Sequence, residues 1–180
     1  SSLQAVTLRG DFNDPDHWVA SSEMNGTPGL AGQTTKPDVV INEVLTHTDA
    51  PFEDAIELYN TSDAPVNIGG WFLSDSSNDY QKYQIPADTV IQPKGFYVAY
   101  QRQFLGTNPR VPFALSSAFG DEVHLTQGDL EGNVIAFVDE IDFPAAENGR
   151  SMGRYPDGAD AIRPLDHQTF GTQLRNTNAP

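Results

Sequence analysis

From Val39 onward the chain alternates short apolar runs with polar breaks at intervals of about ten residues. Val39-Val-Ile-Asn-Glu-Val-Leu45, Ala55-Ile-Glu-Leu-Tyr-Asn60 and Val66-Asn-Ile-Gly-Gly-Trp-Phe-Leu-Ser-Asp75 are rich in β-branched and aromatic residues. Each closes on Asn, Asp, Gly or Pro, as strands joined by turns do. The pattern predicts nine or ten strands, near 39–45, 55–60, 66–68, 71–74, 80–85, 89–92, 96–100, 113–115, 122–126 and 134–141. Alternation in Ile56-Glu-Leu-Tyr59 and Glu122-Val-His-Leu-Thr126 predicts half-buried strands, with His124 turned away from the core. Val134-Ile-Ala-Phe-Val138 is almost continuously apolar, the signature of a central strand covered on both faces. Helix is nearly absent: Arg102 to Leu105 makes one turn, and Pro109 and Pro112 stop anything longer. The fold class that follows is all-β, an antiparallel β-sandwich.

The two ends differ from this middle. Residues 1–36 hold one short apolar run and are otherwise turn formers, among them Asn25-Gly-Thr-Pro-Gly29, and Gln33 to Pro37 reads as a linker. The chain therefore divides into an irregular N-terminal arm, 1–36, and a sandwich, 37–180. From Phe143 the rhythm gives way to turns again. Thr27-Pro-Gly29 in the arm is echoed by Thr169-Phe-Gly171 in the tail, so the arm reads as the end of a preceding domain in a longer, multidomain or repeated protein.

A length of 180 residues suits one such domain, large enough to bury a core without staples. The absence of Cys excludes disulfides and thiolate metal sites. No apolar run approaches the roughly 20 residues that span a bilayer, and Ser1-Ser-Leu-Gln-Ala5 lacks the regions of a signal peptide. Acidic residues outnumber basic ones by 25 to 10, a formal charge of −15 that repels nucleic-acid phosphates and anionic lipid. That acidity serves solubility or, in its sharper reading, divalent cations.

Candidate chemistry is sparse. Asp11, Asn13, Asp14 and Asp16 place four oxygen-bearing side chains within six residues, as a structural Ca²⁺ requires, although the same run suits a capped turn and lacks the glycine and closing glutamate of an EF-hand. Asp49, Glu53 and Asp54 form a second acidic group. Gly149-Arg-Ser-Met-Gly153 fits the G-x-S-x-G pattern, but Pro156 and Gly158 follow where a nucleophile elbow needs a helix, so a short strand packing Met152 inward is the expectation. The histidines, His17, His47, His124 and His167, stand in no metal-binding spacing. Glu43 and Glu57 fall on adjacent strands within apolar runs and can meet across the sheet as a carboxylate pair; an outward, solvated face is the commoner outcome. Tyr80, Tyr97 and Tyr100 are the aromatic residues selected for exposure and ligand stacking.

The ordered motifs Ile41-Asn-Glu-Val44, Ile56-Glu-Leu-Tyr-Asn60, Pro65-Val-Asn-Ile-Gly-Gly-Trp-Phe-Leu-Ser-Asp75, Tyr83-Gln-Ile-Pro86 and Ile91-Gln-Pro-Lys-Gly-Phe-Tyr-Val98 resemble the lamin tail domain family in its bacterial form. The resemblance runs on through Gly120-Asp-Glu-Val-His-Leu125 and Gly149-Arg-Ser-Met-Gly-Arg-Tyr-Pro-Asp-Gly158 to Thr169-Phe-Gly171, over residues 38 to 178. It implies an immunoglobulin-like sandwich. It further implies, for a bacterial member, an accessory module appended to exported nucleases, phosphatases, kinase-like domains or surface proteins. The resulting expectation is a non-catalytic binding or assembly module of a larger exported or cell-surface protein. Its partners would be protein or carbohydrate, and it would have no cofactor beyond a structural Ca²⁺. The alternatives are a metal-dependent phosphoesterase or nuclease and a structural repeat of a surface fibre.

Overall fold

The computed structural model describes residues 3–5, 13, 18–20, 37–49, 51–106 and 109–172. Near the N-terminus β1 (Leu3–Ala5) and β2 (Trp18–Ala20) pair antiparallel with each other. Two larger antiparallel sheets make up the body. In one, β3 (Val39–Leu45), β4 (Ala55–Asn60), β9 (Phe96–Tyr100), β12 (Ser151–Arg154) and β13 (Ile162–Pro164) take the order β13-β12-β3-β4-β9. In the other, β6 (Phe72–Ser74), β7 (Tyr83–Gln84), β10 (Asp121–Gly128) and β11 (Val134–Phe143) take the order β11-β10-β6-β7. A short ladder of β5 (Val66–Asn67) with β8 (Val90–Ile91) joins the loops at one end.

The core lies between the sheets. Ile41, Val44, Ile56 and Leu58 project from the five-stranded sheet, and Leu73, Tyr83, Val123 and Leu125 belong to the same buried cluster from the four-stranded one. A π-helical turn, Arg102–Gly106, drops Phe104 into this layer, where its ring stacks on Phe113 at 4.8 Å. That contact explains why 113–115 forms no strand. Phe113 and Leu115 are buried, but the backbone here follows the turn, with the Phe113 N–H donating to the Phe104 carbonyl at 3.2 Å. The predicted 80–85 strand is cut to two residues because the chain before it is wound into turns, with Ser74 Oγ donating to the Asp79 carbonyl at 2.5 Å.

Two strands exchange the roles that periodicity gives them. β4, expected to be half buried, is buried at every position, because β3 and β9 flank it and the C-terminal segment covers its polar face. β11, expected to be central, is an edge strand, with Ile135 51% exposed and Glu140 and Asp142 exposed. A continuous apolar run fits a buried centre, but it also fits an edge strand that packs one side and bulges. β11 does the latter, with a register shift opposite Leu125/Thr126 that leaves Val138 against the core. Past Phe143, β12 and β13 add two strands where turn formers dominate the sequence.

Candidate functional site

The outer face of the five-stranded sheet carries a polar cluster that begins with a bulge. In β3 the register passes from Ile41↔Leu58 to Glu43↔Glu57, so Asn42 is an extra residue. Ile41 and Val44 thereby stay in the core while Asn42 and Glu43 sit against Glu57. Both glutamates are fully buried. The structure thus brings the anticipated pair into direct register and seals it, where an outward, solvated face was the commoner expectation.

What seals it is the C-terminal strap, residues 165–171. The Thr169 N–H donates to both Glu43 carboxylate oxygens, at 3.1 and 3.2 Å, and the Thr169 hydroxyl donates to Oε2 at 2.5 Å. The Gly171 N–H donates to Glu57 Oε2 at 2.5 Å. Asn42 Nδ2 donates to Glu57 Oε1 at 3.0 Å and to Asp157 Oδ1 at 2.9 Å, while its Oδ1 accepts the Gly158 N–H at 3.0 Å. Burial raises the Glu57 carboxyl to about 7, with Glu43 and Asp157 adding to the rise and Asn42 and Gly171 opposing it. Such an arrangement holds a proton near neutrality, but the strap leaves no route for a substrate to reach it.

Next to the strap stands a buried ion pair that joins the sheets. Arg154 donates through Nε to the Ile41 carbonyl at 2.8 Å, through Nη1 to the carbonyls of Ala159 and Asp160 at 2.7 Å, and through Nη2 to Asp139 at 2.9 Å. Asp139, from the other sheet, accepts the Ile41 N–H at 2.8 Å. Where β12 leaves β3 after Gly153, these two side chains take over the hydrogen bonds of Ile41. Burial lifts the Asp139 carboxyl above its usual range, and Arg154 only partly offsets it.

The G-x-S-x-G segment serves this architecture. Gly149 has φ +74, a left-handed turn conformation. At Gly153 a Cβ would lie 2.8 Å from Leu165 and 2.9 Å from the Asn42 carbonyl. Ser151 lies in strand β12, 1% exposed and paired with Leu45, with Met152 in the core beside it, so no strand-to-helix elbow exists.

The remaining candidates are dispersed. His124 lies under the Tyr80 ring at 5.2 Å, with Nε2 3.2 Å from Glu122 and Nδ1 3.4 Å from Glu140; it faces away from the core, yet is only 5% exposed. Glu122 is held below its usual range chiefly by the Ser77 N–H. Tyr80 covers this outer face, edge-on to Phe137 as well. Tyr97 points inward, its hydroxyl 3.1 Å from that of Tyr83, and burial pushes the phenol up. Tyr100 is on the other face of β9, beneath the Arg102 guanidinium at 4.6 Å. It lines a groove of about 240 Å³ with Phe52, Arg102 and the strap's Phe170. The three tyrosines therefore do not share a surface.

Asp49, Glu53 and Asp54 part company: Asp49 accepts from Asn148, Glu53 pairs with Arg102 and Asp54 accepts from Thr48. Among the described residues, no group of three or more His, Asp or Glu is placed to hold a metal ion. Asn13 is exposed in a turn, and Asp11, Asp14 and Asp16 lie outside the described residues, as does His17. Sequence reasoning missed Arg154 and Asp139, because no spacing in the sequence links the two. It also missed Asn60, whose buried amide donates to the carbonyls of Ala64, Ile91 and Gln92.

Two antiparallel sheets packed face to face around an apolar core define an immunoglobulin-like β-sandwich domain. Residues 32–142 match the profile of the Lamin Tail Domain family, and the chain belongs to that family. No curated protein and no solved structure matches the chain. An immunoglobulin-like family is consistent with a non-catalytic, protein-binding module, and no helix among the described residues is long and apolar enough to cross a membrane.

Proposed function

We propose that this chain is a non-catalytic accessory module that binds protein or carbohydrate for a larger exported or cell-surface bacterial protein. The observation that carries the reading is the fate of Glu43 and Glu57, the pair best suited to acid–base work. Both are fully buried, and their oxygens are engaged by Thr169, Gly171 and Asn42, so no reacting atom can approach them. The groove walled by Tyr100, Phe52 and Phe170 supports a binding role, since aromatic faces beside polar groups hold sugars and peptides. A structural Ca²⁺ on Asp11, Asn13, Asp14 and Asp16 belongs to the same proposal and would raise the melting temperature on titration with CaCl₂. The test of the main reading is a phosphoesterase assay on aryl phosphate mono- and diesters with Mg²⁺, Mn²⁺ or Ca²⁺. The expected rate is that of the blank. Turnover that disappears in Glu57→Gln or Asp11→Ala overturns the reading in favour of a metal-dependent hydrolase.

A second reading, a structural repeat of a surface fibre, is favoured by β11. This ten-residue edge strand offers Val134-Ile-Ala-Phe-Val138 without a lysine or proline to blunt it. Concentration-dependent sedimentation abolished by Ile135→Lys would support it, and a monomer at all concentrations would exclude it.

A further inference from the structure

We propose that the cleft beside β7 is a docking site for an extended, acidic segment of a partner protein, which adds to the sheet at Gln84. The inference rests on the binding-module reading and names the partner class. β7 is the outermost strand of its sheet. Ile85 bonds towards β6, its N–H donating to the Trp71 carbonyl at 2.8 Å and its carbonyl accepting the Gly70 N–H at 3.0 Å. The alternation of an antiparallel ladder therefore turns the backbone N–H and carbonyl of Gln84 to the open side. On that side the Val111 N–H donates to the Lys82 carbonyl at 3.0 Å, and among the described residues no further backbone bond follows it along the strand. Among the described residues no backbone group meets Gln84. An incoming strand would continue the line that Val111 starts.

The cleft has a volume of about 650 Å³, and Ile85, Pro86, Leu130 and Arg110 are among the residues that line it. That is the size range of ligand sites. None of its lining residues is acidic, in a chain with a formal charge of −15. Lys82, Lys94, Arg102, Arg150 and Arg154 each pair with a carboxylate. Arg110 pairs with none among the described residues. It is held in place instead, 5.5 Å over the Phe72 ring and with Nη1 on the Gly132 carbonyl at 3.1 Å. A positioned guanidinium with free donors suits a carboxylate. Leu130, 66% exposed, offers an apolar contact for a neighbouring side chain. The unmet backbone pair at Gln84 selects a peptide over a saccharide, because only a peptide supplies an N–H and a carbonyl at strand spacing.

The test is an NMR titration of the whole ¹⁵N-labelled chain with blocked heptapeptides. One has the sequence Val-Thr-Val-Glu-Val-Thr-Val, and its counterpart carries Lys in place of Glu. The Glu peptide is expected to shift the Gln84 amide and the Arg110 Nε–H signals and to bind about fivefold more tightly than the Lys peptide, the scale of an exposed ion pair. Arg110→Gln should erase that preference, and Leu130→Asp should weaken both peptides. The proposal is overturned by equal affinity for the two peptides, by no shift at Gln84 up to millimolar peptide, or by a response to oligogalacturonate and not to peptide. Slow hydrogen exchange of the Gln84 amide in the free protein would also overturn it, because a segment of the chain itself would then occupy the edge. A silent titration without phosphoesterase activity removes this docking site alone. Phosphoesterase activity removes the non-catalytic reading whatever the titration gives.

Discussion

The outer face of the five-stranded sheet is polar and closed, whereas the side of the four-stranded sheet that ends at β7 borders an open cleft of mixed character with no acidic residue in its lining. In the closed region Asn42, Glu43, Glu57 and Arg154 are all buried, and each is satisfied by backbone groups of the tail or by a partner side chain. In the open region Arg110 and Leu130 are exposed and the backbone of Gln84 faces the cleft. The difference shows that the buried polar residues of the closed face are committed to structure, whereas the cleft side keeps its cation, Arg110, and the apolar Leu130 at the surface. Buried polar groups are costly unless fully paired, so those on the closed face must be retained as a set.

The largest effect should come from breaking the set at Arg154. Arg154→Met removes the guanidinium and leaves Asp139 buried without its partner, so chemical denaturation should show a loss of about 3–5 kcal/mol. A loss below about 1 kcal/mol would mean that the closed face is not what holds the sheets together.

Next is the proton on Glu57. Its carboxyl is raised from 4.5 to about 7 in the folded chain. Between these values the folded state binds more protons than the unfolded one, so this group's stabilisation is full below about 4.5 and is lost as pH rises through about 7. The unfolding free energy from denaturant titrations over that window should fall with rising pH, by up to about 3 kcal/mol from this residue. Glu57→Gln should flatten that slope. Asp139 and Asp54, also raised by burial, would leave a residual slope of the same sign.

Gly153→Ala sharpens the comparison from the packing side. The added methyl meets the Asn42 carbonyl and Leu165, and the expected cost is about 1–3 kcal/mol in the same denaturation experiment. On the open side Arg110→Gln removes only a contact with an aromatic ring and one with a carbonyl, and should cost no more than about 0.5–1 kcal/mol. If the open-side substitution cost more than Gly153→Ala, the contrast between the two regions would be lost.

The fold was largely legible. β3, β4 and β9 lie where apolar runs and turn residues put them, because β-branched residues bounded by Asn, Gly and Pro have few other conformations open to them. Burial was less so. Ile56-Glu-Leu-Tyr59 alternates as a half-exposed strand does, yet Glu57 is sealed by Gly171, 114 residues away. Periodicity describes a strand's own faces and carries no information about what later covers them. The carboxylate pair was legible as a possibility, since Glu43 and Glu57 lie on neighbouring strands; the strap was not, since turn formers at Thr169-Phe-Gly171 look alike whether solvated or docked. Arg154 gave no pattern at all, because its partners come from β3, β11 and the turn after β12.

The sequence by itself determined an antiparallel β-sandwich, the family to which it belongs, an acidic surface and the absence of cysteine chemistry, because these depend on local periodicity, motif order and composition. Only the tertiary structure decided which strand is central, that the two glutamates are buried acceptors for the tail, and that β7 borders a cleft where Arg110 pairs with no carboxylate among the described residues. Those outcomes depend on contacts between residues far apart in the chain, and burial, more than residue type, sets what a carboxylate or a guanidinium does.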